Sequence, residues 1–439
     1  MRFEGAARGS LFTSLFTKTK SVQSRVCYNG FINYNALIRE EVQKPYNTTQ
    51  ERTDMEYNTT IGVDVSDKTS KICVMTKLPG GERKIVVETS CATTKAGFEE
   101  AFSKFDRSWP VIFETGTHCR WMDKCFKNLQ YKTIVANPGK IPSITKSNKK
   151  NDRNDARELA RLGIADPEML HPVSLRDEIF QKMLRLHHAR NLLISQRTQT
   201  INQIRGFAKS VGYRIECKTT EGFHKQSKVL WPKELEEVAW PLMDSLDTIS
   251  LKIKAYDKMI EKLAEEPEFK AMVERARVIY GIGIIGSTVL IATIGGRPNR
   301  FNHARDVAAY LGLVPQQDQS GEINKQLNIT HAGSCICRKT LVECAGIAMM
   351  SNAPETDIKL KGLRIAMRGG KTAKKKAKVA VARTLAVTVI ALLKDMTKEY
   401  VPLSDAGKKG FERYRAELEY LTMQNAAKKE KAEKKTKVA

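Results

Sequence analysis

Two short apolar runs in this chain each carry a carboxylate at or near their end, and that pairing restricts the fold more than any other feature. The first is Thr60–Val65, TIGVDV, with Asp64 as its penultimate residue; the second is Val111–Glu114, VIFE, ending in Glu114. Runs this short, rich in β-branched and aromatic residues, are strands. With a helical pattern between them they become parallel neighbours, and their acids meet at one rim of the sheet.

A third acidic element, KKNDRNDAREL, opens a helix with Asp152 and Asp155, which are three apart and share one face. Any one of these acids alone is explained as a surface carboxylate or a helix cap. Gathered from distant sequence they repel one another unless divalent cations lie between them, so together they point to metal-assisted phosphoryl transfer. Hard oxygen donors select Mg²⁺ or Mn²⁺, two ions per site, over zinc. Cys335, Cys337 and Cys344 lack the paired spacing of a zinc site.

The charge balance names the class of partner. A formal charge of +25 on 439 residues fits a polyanion binder better than a metabolic enzyme. The stretch 359–383 holds ten Lys or Arg and no acid, and the expected phosphate contacts there are Arg368, Lys371, Lys374, Lys375, Lys376, Lys378 and Arg383. Lys149, Lys150 and Arg153 extend this basic set beside the helical acids. Nine cysteines without a framework imply free thiols and a cytoplasmic setting. The apolar run 379–393 is too short to span a bilayer and contains Arg383, so no membrane role is expected.

The organisation is α/β followed by α. Residues 1–56 form an atypical extension, read as a presequence, a flexible nucleic-acid arm, or sequence upstream of a true start at Met55; the third is preferred because a strand follows at once. In 57–172 three strands (Thr60–Val65, Lys71–Thr76, Lys84–Glu88) precede alternating helices and strands, the order of an RNase H-like domain. In 173–270 apolar residues recur at three- and four-residue steps from Ile179 to Ile204, and Leu246–Leu263 is the expected partner of an antiparallel coiled-coil hairpin with an insertion at about 217–240. His187 and His188, being adjacent, do not share a face and are given packing or solvated roles rather than a metal. In 271–398 the turn at Gly281 and Gly283 resembles a helix-hairpin-helix element whose amides face a phosphate, with a plain helical packing unit as the alternative. A loop is expected from Gly312 to Gly321, helix from Ser334, and a charged tail over 399–439, frayed or disordered at its end.

GVDVS, FETG, NDRNDAREL, the spacer and the later GIG, LGLVP and SG stretches together resemble the DEDD transposases of the insertion-sequence one-hundred-ten group, the Piv-like recombinases. The likeness covers about 59–395. It implies a RuvC-like domain joined through a coiled coil to a mostly helical transposase domain bearing a catalytic serine. It further implies a homo-oligomer (dimer or tetramer) that recombines donor and target DNA under a structured guide RNA, the bridge RNA. Carried over by position, the tetrad is Asp64, Glu114, Asp152 and Asp155, and the serine is Ser320, which would form a phosphoserine link. Here Ser320 is followed by Gly321-Glu322 rather than Gly-Gly-Lys, which leaves Ser334 as a second candidate. The alternatives are a RuvC-like Holliday-junction resolvase that uses water as nucleophile, and a non-catalytic RNA-binding protein on the same scaffold.

Overall fold

The computed structural model describes residues 56–141, 152–217, 219–223, 231–320, 323–370 and 372–438. The extension with Met55, together with Lys149, Lys150, Lys371 and Gly321-Glu322, lies outside the described residues.

Strands β1 (Thr59–Val65), β2 (Thr69–Lys77) and β3 (Arg83–Ala92) form an antiparallel meander. The β2–β3 turn needs its two glycines, since Gly80 and Gly81 sit at φ +111° and +89°. After helix α1 (Lys95–Phe102), strand β4 (Val111–Glu114) pairs parallel with β1. Helix α2 (Cys119–Asn128) leads to β5 (Thr133–Ala136), and the sheet order is β3-β2-β1-β4-β5. The sequence expected β3 to stop at Glu88; it runs on to Ala92 although no residue in it is buried. Only its ladder to β2 defines this edge strand, and that cannot be read from side-chain pattern.

Strand periodicity divides the core between two faces. Ile61, Val63, Ile72, Val74, Val111 and Phe113 face α1 and α2, where Phe98, Phe102 and Phe126 pack edge-on or tilted. Thr60, Gly62, Cys73, Met75 and Ile112 face the opposite way, toward helix α3 (Asp152–Ala165).

Two long helices follow, α4 (Glu178–Ser210) and α5 (Lys233–Ala264). Phe180, Met183 and Leu184 share a core with Ile260 and Leu263, whereas Ile201, Ile204 and Ala208 share one with Leu235, Ala239 and Met243. The helices are therefore antiparallel, with Phe223 and Trp231 filling a separate core at the far end. Helix α5 begins at Lys233, inside the segment read as an insertion, and accommodates Pro241. Pro232 just before the first turn favours that start.

His187 is buried and bonded to Thr288 (3.0 Å), whereas its neighbour His188 is exposed. Burial holds the His187 imidazole down at about 3, with the Arg190 and His188 charges adding to it. The folded protein thus keeps His187 neutral while the unfolded chain protonates near 6.5. Stability is present above that value and drains away as pH falls toward 3. Thermal unfolding is expected to show a loss on the order of a few kcal/mol across this window. The His187→Gln variant should flatten that slope.

The remaining helices build one shared core: α6 (Pro267–Arg277), α7 (Ile284–Ile294), α8 (Asp306–Tyr310), α9 (Cys335–Ala348), α10 (Asp357–Met367) and α11 (Ala373–Lys394). Helix α7 is buried on all sides from Gly286 to Ile294. Where a loop was expected, β6 (Pro315–Ser320) pairs with β7 (Ile323–Ile329) as a separate two-stranded sheet. PQQDQS has no apolar alternation, so only pairing reveals the strand. The tail includes helix α12 (Asp405–Val438). No described helix is long and apolar enough to cross a membrane.

Candidate active site

The parallel register sets Val63 beside Phe113, so the next residues, Asp64 and Glu114, stand side by side on adjacent strands. Period-two alternation turns both toward α3, the face of Gly62 and Ile112. Helix α3 presents Asp152 and Asp155 in its first turn.

Glycine makes that approach possible. A Cβ on Gly62 would lie 2.1 Å from the carbonyl oxygen of Ala156 and 2.7 Å from the Ala160 amide nitrogen. Backbone therefore meets backbone one residue beyond Asp155. The Thr60 hydroxyl donates to the Ala160 carbonyl (2.8 Å, buried) and fixes the helix along β1. Gly163 gives the second close approach, where a Cβ would lie 2.0 Å from Ile112 Cδ1. A lone glycine inside an apolar strand, as in TIGVDV, is the sequence signal for such contact.

The start of α3 is also tied to the sheet edge. Arg153 and Arg157 both donate to Glu88 on β3, with Arg153 Nε and Arg157 Nη2 at 2.9 Å. The Arg157 hydrogen bonds, joined by those of Arg153, hold the Glu88 carboxyl down at about 2. Arg153, expected to contact nucleic acid, thus has its guanidinium on Glu88. Sequence reading missed Glu88, because a bond between residues so far apart leaves no local pattern.

Asp64 is the electrostatic centre. Its carboxyl is pushed up to about 6, first by burial and then by the charges of Asp152 and Asp155, against a hydrogen bond from the Val65 backbone. The acids of strand and helix therefore feel one another. Among the described residues no three His, Cys, Asp or Glu side chains are gathered closely enough to hold a metal ion. Mutual repulsion keeps like charges apart, and a cation is what draws such groups together. In donor chemistry the set fits a hard divalent ion: carboxylate oxygens, one of them already strained toward protonation.

The other expected site residues lie on the helical half. Ser320 is the last residue of β6 and pairs with Ile323, on a different sheet from the acids. Ser334 is the N-cap of α9, its hydroxyl accepting from the Cys337 amide (3.3 Å). Gly281, at φ +94°, backs onto α9, where a Cβ would meet the Cys344 carbonyl at 2.9 Å. Gly283 is exposed at the N-cap of α7 with open space beside it. Lys374, Lys375, Lys376, Lys378 and Arg383 are exposed along α11, and Arg368 is exposed at the end of α10. The first turn of α11 contains no acid, so its lysines add to the positive end of the helix dipole. Lys359, counted in the same basic run, is instead buried and donates to the carbonyls of Ser351 and Ala353.

Residues 61–212 match a transposase family of the DEDD, IS110 kind, and residues 273–359 match the transposase IS116/IS110/IS902 family. The transposase for insertion sequence element IS1111A of Coxiella burnetii is 26% identical over 291 residues, 64% of this chain and 77% of that protein. The transposase for insertion sequence element IS1328 of Yersinia enterocolitica is 27% identical over 54% of this chain and 70% of its own. The pilin gene-inverting protein of Moraxella bovis is 25% identical over 65% of this chain and 79% of its own.

Proposed function

This chain belongs to the IS110 family of DEDD transposases, and from that premise we propose that Asp64, Glu114, Asp152 and Asp155 are its divalent-cation ligands and Ser320 its nucleophile. The family makes it a DNA transposase or recombinase, with DNA as substrate and general dependence on divalent metal. The observation that supports the metal-ligand reading is geometric: Asp64 and Glu114 stand on adjacent parallel strands facing the helix turn that carries Asp152 and Asp155, with the Asp64 carboxyl pushed up to about 6 by burial and those two charges.

Mg²⁺ or Mn²⁺, two ions per site, would supply Lewis-acid stabilisation of charge on phosphorus and its oxygens. The chain's own residues do the rest. Asp64 and Glu114, fixed on paired strands, and Asp152 and Asp155 on the first turn of α3 would hold those cations, and it is against the cations that the scissile phosphate would be oriented. Glu88 keeps Arg153 and Arg157 from swinging onto these acids. The Ser320 hydroxyl loses its proton and attacks phosphorus, the leaving strand departs with a free hydroxyl, and a phosphoserine ester conserves the bond energy for rejoining.

Ser320 and the acids stand on different sheets, which supports a reaction centre completed within a homo-oligomer built on the α4–α5 hairpin, read as a coiled coil. The α6–α7 turn, read as a helix-hairpin-helix element, offers Gly283 to a phosphate. The exposed cations of α10 and α11 hold DNA and a structured guide RNA that pairs with donor and target. Ser320→Ala is expected to abolish the covalent protein–DNA adduct seen on denaturing gels after incubation with element ends. An adduct of wild-type yield in that variant would remove Ser320 from the mechanism, and cleavage without any adduct would favour water as nucleophile.

A further inference from the structure

Helix α12 is held on α10 by a pair of glycines. A Cβ on Gly407 would lie 1.8 Å from Asp357 Oδ1, and one on Gly410 would lie 2.6 Å from Leu360 Cδ2 and 2.9 Å from Arg364 Nη2. Arg415 pairs with Glu355, and the Ser404 amide approaches the Asp357 carboxylate, so the start of α12 is fixed at both ends. Between the two helices lies a cleft of about 440 Å³. Its lining includes the apolar Leu360 and Ile365, the cations Lys361, Arg364 and Arg368, and one carboxylate, Asp357, which accepts from the Ser404 amide. These three cations recur at i, i+3 and i+7 and thus share one helix face. Among the described residues none of them forms a salt bridge, and Lys361 has only the Thr384 hydroxyl, at 2.8 Å.

Apolar residues beside a lining with three cations and one carboxylate, in a volume of this size, fit one flat apolar group joined to phosphates. We propose that the α10–α12 cleft receives an unpaired nucleotide of a single-stranded polynucleotide, its base against Leu360 and Ile365 and its phosphates on Lys361 and Arg368. A base stacked inside a duplex is inaccessible to such a cleft, so the site discriminates single from double strand. The inference rests on the reading that this chain handles polynucleotides, but not on the identity of its catalytic groups.

The test is binding of short labelled single strands, RNA in one arm and DNA in the other, and of a duplex of equal length, to the full chain. Ala406→Trp fills the cleft from α12 without changing charge. It is expected to weaken single-strand binding by about tenfold, the loss of one buried apolar contact, and duplex binding by less than about twofold. The arm with the larger loss identifies RNA or DNA as the occupant. Single-strand affinity equal to wild type, or equal losses on single strand and duplex, overturns the proposal. Should Ala406→Trp lower the unfolding temperature, crosslinking of wild-type protein to a thiouracil-bearing strand decides: label in α10 or in residues 404–407 supports the cleft, and label only elsewhere overturns it. The readout is strand binding without divalent cation, which does not require Asp64, Glu114, Asp152 or Asp155 to act as metal ligands, so failure of the catalytic reading and failure of the cleft are separable.

Discussion

Replacing Asp64 with Asn is expected to abolish strand cleavage and joining while making the cation-free protein more stable. The two effects share one cause. Burial and two neighbouring acids disfavour the Asp64 charge, lifting its carboxyl from 3.8 to about 6. Between those values the folded protein holds a proton that the unfolded chain has released, so stability falls as pH rises through the window. At neutral pH the charge is therefore a cost, on the order of 1 kcal/mol once solvent screening is allowed for. Asn removes that cost and the anionic ligand together. Activity on element ends should drop by about a thousandfold or more, as for loss of a central transition-state group. Cation uptake by calorimetry should vanish in the variant, and in the parent it should strengthen as pH rises through about 6, because protons and cations compete for Asp64. A variant that recombines DNA at the parental rate would end the four-acid reading.

Gly62→Val should be the most damaging substitution in the sheet. Its Cβ would overlap a backbone oxygen, and α3 can relieve that overlap only by leaving β1. Overpacking against flexible neighbours costs about 1–3 kcal/mol, and a fixed backbone neighbour places this site at or above that range. Gly163→Ala is the informative partner, because its nearest atom is the tip of Ile112, which can rotate away. Thermal unfolding should show a large loss for Gly62→Val and a much smaller one for Gly163→Ala. If both variants melt together, the close helix–strand contact is not what positions the acids.

Much of this arrangement was legible before any coordinates. Short apolar runs ending near acids gave β1 and β4, and strand parity then places both acids on one face. Contacts between distant residues were not legible. Nothing local marks Glu88 as the partner of Arg153 and Arg157. Lys359 looked like one more surface cation because composition registers charge but not burial. Strand β6 was not legible because PQQDQS carries no apolar period, although Ile323, Leu327 and Ile329 of β7 do alternate with polar residues. At Gly281 the sequence leaves a phosphate-facing turn and a packing turn open, because φ above zero and close packing lead to the same residue choice.

The hairpin of α4 and α5 carries a mechanical consequence. Helix α4 has 33 residues, which at the usual rise makes an arm roughly 50 Å long. Its base is embedded in the helical core, while its far end holds a small hydrophobic knob of its own. With the helix packed on that core as far as Asn191, the free arm is roughly 29 Å, and a pivot of about ten degrees would sweep the knob through roughly 5 Å. Minor repacking around Phe180 and Phe269 would thereby be amplified severalfold at the tip.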